Sequence, residues 1–116
     1  MHELSIVEAV IEQVDEEVRR AGAEGKVAKL ELSIGRLSGV SAESIRFAFD
    51  LLAPETILSG AEIVIHEPKA VCRCNSCHAE TEIDDLTLKC PRCSSDDIAI
   101  EGGREMLLQS IDVEDA

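Results

Sequence analysis

The sequence predicts a small α/β fold of the α+β kind: a three-stranded mixed sheet carrying two helices, with a cysteine-rich lobe inserted in the chain. Three observations carry that expectation. Two segments repeat apolar residues at helical spacing, two alternate at the period of a strand and a third reads as a strand, and four cysteines form Cys-x2-Cys-x12-Cys-x2-Cys between the second and third strands. At 116 residues the chain can bury one modest core.

The first helix is expected over residues 5–21. Ser5 and Glu8 form a capping box, and Val7, Ile11, Val14, Val18 and Ala21 recur at helical spacing. Asp15 with Arg19 and Glu16 with Arg20 are i, i+4 pairs in the favourable order, and Gly22 supplies the C′ residue. Val27 to Ile34 then alternates, with Leu30, Leu32 and Ile34 on one face and Lys29, Glu31 and Ser33 on the other, which predicts a half-buried strand. Gly35 and Gly39 break it. Ser41 caps a second helix whose stripe is Ile45, Ala48, Phe49 and Leu52, and Pro54 stops it. Phe47 and Phe49 both read as core. Glu62 to His66 forms a second strand closed by Pro68, and Met106 to Val113 a third, its buried face left open because Leu107 and Leu108 are both apolar.

The paired knuckles Cys74/Cys77 and Cys90/Cys93 turn four thiolates towards one ion, the tetrahedral set that structural Zn2+ prefers. A zinc ribbon is therefore expected over 70–98, and a body from 1–69 together with 99–116. A disulfide pair would suit an oxidising compartment, but the chain opens MHELSIVEAV, without the basic and apolar regions of a signal peptide, so a cytoplasmic protein is expected. A thioredoxin-like redox site would place one motif between a strand and a long helix, and a rubredoxin-like iron site is disfavoured because His78 and Ser94, not glycines, follow the knuckles. Four closed thiolates leave no position for a catalytic water, which argues against a zinc hydrolase.

The formal charge of −13 becomes about −15 with four ligated thiolates and one Zn2+. Nucleic-acid phosphates call for the opposite sign, and with two Phe and no Trp or Tyr the chain lacks platforms for stacking bases. No stretch is apolar enough to span a bilayer. A nucleic-acid-binding zinc ribbon, and a redox protein using Cys74 and Cys77, remain as alternatives of other classes.

The N-terminus is the second place for chemistry. The bulky His2 should keep Met1 in place, so the terminal amine, the His2 amide and its imidazole can form fused chelate rings, a planar nitrogen set that suits Ni2+ or Cu2+ better than zinc. With this, MHELS, LSIGRLSGV, ESIRFAFDLL, GAEIVIHE and the knuckles CRCNSC and CPRC make the whole chain resemble the hydrogenase-maturation nickel metallochaperones of the HypA/HybF family.

The resemblance implies a binding and transfer protein, not an enzyme. Ni2+ would be cargo taken by the Met1 amine, His2 and the Glu3 backbone, then passed with a maturation GTPase to the [NiFe]-hydrogenase large-subunit precursor; Cys74, Cys77, Cys90 and Cys93 would hold structural zinc. No nucleic acid or membrane partner is implied, and the resting oligomer is left open, a homodimer included. Where some members carry a loop carboxylate near nickel, this chain reads Leu37-Ser38-Gly39-Val40-Ser41, the nearest acid being Glu43. His78 reads as a neighbour of the ribbon site, His66 as a surface residue, and Cys72 as a thiol packed against the ribbon.

Overall fold

A computed structural model describes residues 3–114. In chain order the elements are α1 (Glu3–Arg20), β1 (Lys26–Ile34), α2 (Ala42–Leu52), β2 (Glu62–His66), β3 (Ala70–Cys74), β4 (Glu80–Ile83), β5 (Ile98–Glu101) and β6 (Met106–Glu114). One sheet has the order β2-β1-β6 and the other β4-β3-β5. The two helices and small sheets are those the α+β expectation requires, and the second sheet enters the chain between strands β2 and β6 of the first.

The chain divides into two compact units. One comprises the described residues up to Leu32, Val40–Ile65 and those from Leu107 onward; the other comprises Ser33–Gly39 and His66–Met106. The ribbon unit thus takes in residues 33–39, 66–69 and 99–106 in addition to the 70–98 expected for it.

In the first unit α1 is already helical at Glu3, so Ser5 lies inside the helix and the expected start at residue 5 is corrected. A capping side chain is worth about 1 kcal/mol. Ile6 and Val7, buried in the first turns of the helix, each contribute about 1.5–3 kcal/mol on removal from water. Val14 and Val18 continue the buried stripe. At the other end Gly22 takes φ 68. Its N–H donates to the Arg19 carbonyl and that of Ala23 to Val18, 3.0 and 3.1 Å, a Schellman closure. Asp15 pairs with Arg19 as expected, but Arg20 pairs with Glu17 at 2.9 Å in place of Glu16.

Strand β1 buries Leu30, Leu32 and Ile34 as its alternation predicts. Val27 is buried out of phase, and Ser33, assigned to the polar face, is only 5% exposed. Ser41 caps α2, accepting from the Ser44 N–H at 3.2 Å. Ile45, Ala48 and Phe49 are its buried residues. Phe47 is not core: it lies 64% exposed, because its position on α2 falls outside the inward stripe. On β6 Leu108 is half-buried and Leu107 exposed, which settles the inward face.

In the second unit β3 pairs antiparallel with both neighbours, Cys72 standing opposite Thr81 of β4 and Ile100 of β5. Ala70, Cys72 and Ile83 form a small buried cluster, covered by Leu37, Ile98 and Ile100.

Candidate metal centre

Strand β3 alternates, burying Ala70, Cys72 and Cys74 on one face, so the pattern that builds the ribbon's core also delivers its first ligand. The two knuckles then repeat one backbone design. Cys74 N–H donates to the Ala79 carbonyl at 3.0 Å, and Cys90 N–H to that of Ser95 at 2.8 Å. Two residues after each first cysteine an amide turns back on its sulfur: Ser76 N–H to Cys74 Sγ at 3.3 Å, Arg92 N–H to Cys90 Sγ at 3.4 Å. The residue after each second cysteine is left-handed, His78 at φ 63 and Ser94 at φ 64. The left-handed turn therefore forms without glycine, and the missing glycines do not separate zinc from iron as the sequence reading held.

Side chains outside the cysteines tie the knuckles together. Ser76 Oγ and Ser95 Oγ share a hydrogen bond of 2.8 Å, and Asn75 Nδ2 donates to Asp97 Oδ1 at 3.1 Å. Sequence reasoning missed these four; small polar residues beside a knuckle carry no periodic signal.

The four sulfurs of Cys74, Cys77, Cys90 and Cys93 lie within 4.8 Å of one another. Cys74 Sγ is 3.5 Å from Cys93 Sγ, and Cys77 Sγ is 3.8 Å from Cys90 Sγ. Thiolates held tetrahedrally at about 2.3 Å from zinc lie about 3.8 Å apart, so the donor set and its dimensions fit a bound tetrahedral metal. Cys74 and Cys90 are buried and Cys77 and Cys93 exposed, so one flank of the site faces solvent.

Ionisation within the set is uneven. The amides of Cys77 and Ser76 draw the Cys74 pKa down to about 6, burial opposing them and the neighbouring thiols assisting. Those of Cys93 and Arg92 lower Cys90 in the same way. Cys93 receives the Ser95 amide, yet its thiol is pushed up to about 12 because it donates to Cys74, loses solvent and stands beside Cys77 and Cys90. Four adjacent thiols cannot all shed protons without a cation among them, and a divalent ion inverts that balance.

Cys72, one residue before the first knuckle, is 1% exposed and its thiol is raised by burial and then by the nearby Cys90, Cys74 and Cys77. It is a neutral core side chain. His78 and His66 are both exposed. Of the expected nickel ligands, Met1 and His2 lie outside the described residues, while Glu3 stands in the first turn of α1. Glu43 stands in the first turn of α2 and lines the same groove as Glu3.

A family described as hydrogenase/urease nickel incorporation metallochaperone, HypA, matches residues 1–113. The chain belongs to the HypA family. It is 40% identical to the hydrogenase maturation factor HypA of Chlorobaculum tepidum, over 98% of this chain and all of the relative. The corresponding factor of Chlorobaculum parvum is 42% identical over the same shares. The solution structure of the Ni metallochaperone HypA from Helicobacter pylori superposes with a TM-score of 0.67 at 25% identity, covering all of both chains. HypA proteins are nickel-incorporation metallochaperones of hydrogenase maturation, and this chain carries a four-cysteine cluster that could hold a metal ion.

Proposed function

We propose that this HypA-family chain captures Ni2+ at its N-terminus and delivers it to the [NiFe]-hydrogenase large-subunit precursor together with a maturation GTPase, while a structural zinc holds the ribbon. The observation that carries this reading is the extent of the family match, which takes in Met1-His2-Glu3 and both knuckles at once. The helix that begins no later than Glu3 supports it further. The first amides of a helix have no intrahelical acceptor, which leaves them available as ligands. The Met1 amine, the His2 amide and imidazole and the Glu3 backbone nitrogen then form an accessible nitrogen set, one that a recipient site can dismantle ligand by ligand. The closed thiolate set at Cys74, Cys77, Cys90 and Cys93 has the opposite task and holds its ion through the transfer.

Calorimetric nickel titration of the untagged chain, an N-terminally tagged chain and His2→Ala tests the site. Tight nickel binding and hydrogenase maturation are expected only for the untagged chain, with one zinc per chain and an unchanged fold in all three. Equal nickel affinity across the three removes the N-terminal site.

A further inference from the structure

Helix α2 carries more apolar surface than its packing uses. Beside its buried stripe, Phe47 and Leu51 stand one turn apart with 64% and 57% of their surface exposed, and Leu4 of α1 is 45% exposed. Together with Ala48 these side chains line a groove of about 520 Å3 between the two helices. Glu3 and Glu43 edge it, and no Lys or Arg is among the described residues that line it.

We infer that this groove docks a basic amphipathic segment of a partner protein. Such a segment lays apolar side chains spaced one helical turn apart against Phe47, Leu51 and Leu4, and sets a Lys or Arg against Glu3 and Glu43. The charge selects this occupant. A second copy of the chain would bring another formal charge of −13 against the same two carboxylates, and an anionic lipid surface would meet the same repulsion. A basic segment gains from both the apolar lining and the acidic rim.

Glu3 follows His2 directly, so a segment seated in the groove is held beside the residue proposed to take nickel. That consequence rests on the nickel reading; the docking itself does not.

The test uses the zinc-loaded full chain, 15N-labelled and titrated with a synthetic helical peptide of leucines at i, i+4 and i+7 among lysines. Amide shifts are expected to concentrate in the first turn of α1 and along α2. Phe47→Ser with Leu51→Ser is expected to weaken binding at least tenfold. Leu86→Ser with Leu88→Ser removes leucines that are 61% and 81% exposed elsewhere, and is expected to change affinity less than twofold. Glu43→Lys reverses the preference, weakening the lysine peptide and strengthening its glutamate counterpart. His2→Ala leaves peptide affinity unchanged, so nickel loss and peptide loss report on the two readings separately. Equal losses from both serine pairs, or shifts spread over the acidic surface, overturn the proposal. So does a dimer, or attachment to phosphatidylglycerol vesicles, that Phe47→Ser with Leu51→Ser abolishes, since each assigns the groove to another occupant.

Discussion

A β-carbon on Gly35 would lie 2.2 Å from the carbonyl carbon and oxygen of Gly103, so the two backbones meet only because Gly35 lacks a side chain, while a β-carbon on Gly103 would collide with Ala70 instead. The approach is fixed by hydrogen bonds: Gly35 N–H donates to the Glu105 carbonyl at 2.8 Å and Leu37 N–H to that of Gly103 at 2.5 Å. Gly35→Ala is expected to destabilise the protein by more than about 2 kcal/mol in chemical denaturation, since main chain and not a flexible side chain must yield. Gly39→Ala meets open space and only has to hold φ +81, so a loss of about 1–2 kcal/mol is expected. The sequence shows both glycines as strand breakers and cannot rank them, because the partner of Gly35 lies far along the chain. Phe47 and Phe49 differ for a similar reason: composition makes both core, and only their angular position on α2 separates them. Ser94 holds a left-handed turn without glycine, so Ser94→Gly is expected to raise resistance of the ribbon to unfolding by about 1 kcal/mol.

Strands β3, β4 and β5 enclose only a small cluster of Ala70, Cys72 and Ile83, covered by Leu37, Ile98 and Ile100, so a metal on the four cysteines would supply much of the lobe's folding energy. Chelation is expected to abolish amide protection in these three strands while α1 and α2 keep theirs, measured by hydrogen exchange. Cys90→Ala with Cys93→Ala removes one knuckle's ligands and is expected to end stoichiometric zinc binding, read by metal analysis. Protons oppose the metal here: Cys93 keeps its proton at neutral pH, whereas Cys74 is ionised there and takes a proton only as pH falls through about 6. Zinc uptake therefore releases protons, and its affinity is expected to fall on acidification, more steeply below about pH 6. The clustering of the four cysteines was legible from spacing alone. The strands around them were not, although Ala70, Cys72 and Cys74 alternate; five residues that include two cysteines read first as ligation.

For the molecule as a whole, the elements of the first unit were legible because its apolar periodicity is strong in α1, β1 and α2. The nickel chemistry proposed for it is legible only as a motif at the terminus. An imidazole with an ordinary pKa of about 6.5 competes with metal for protons, so nickel affinity is expected to fall between neutral and mildly acidic pH, and a flat titration curve would remove His2 from the site.

The place of the ribbon in the chain reaches further than its ligands do. Strand β6 belongs to the first sheet, yet it is synthesised last, after every residue of the ribbon. The nascent chain therefore holds β1 and β2 without their third strand while both knuckles are already available to metal. With the ribbon folded, the excursion from β2 to β6 is short in effective length; without metal it is one long flexible loop whose closure entropy opposes docking of β6. That difference is on the order of 2 kcal/mol, transmitted by connectivity with no contact required. The metal content of one lobe thereby sets how firmly the other lobe keeps its last strand.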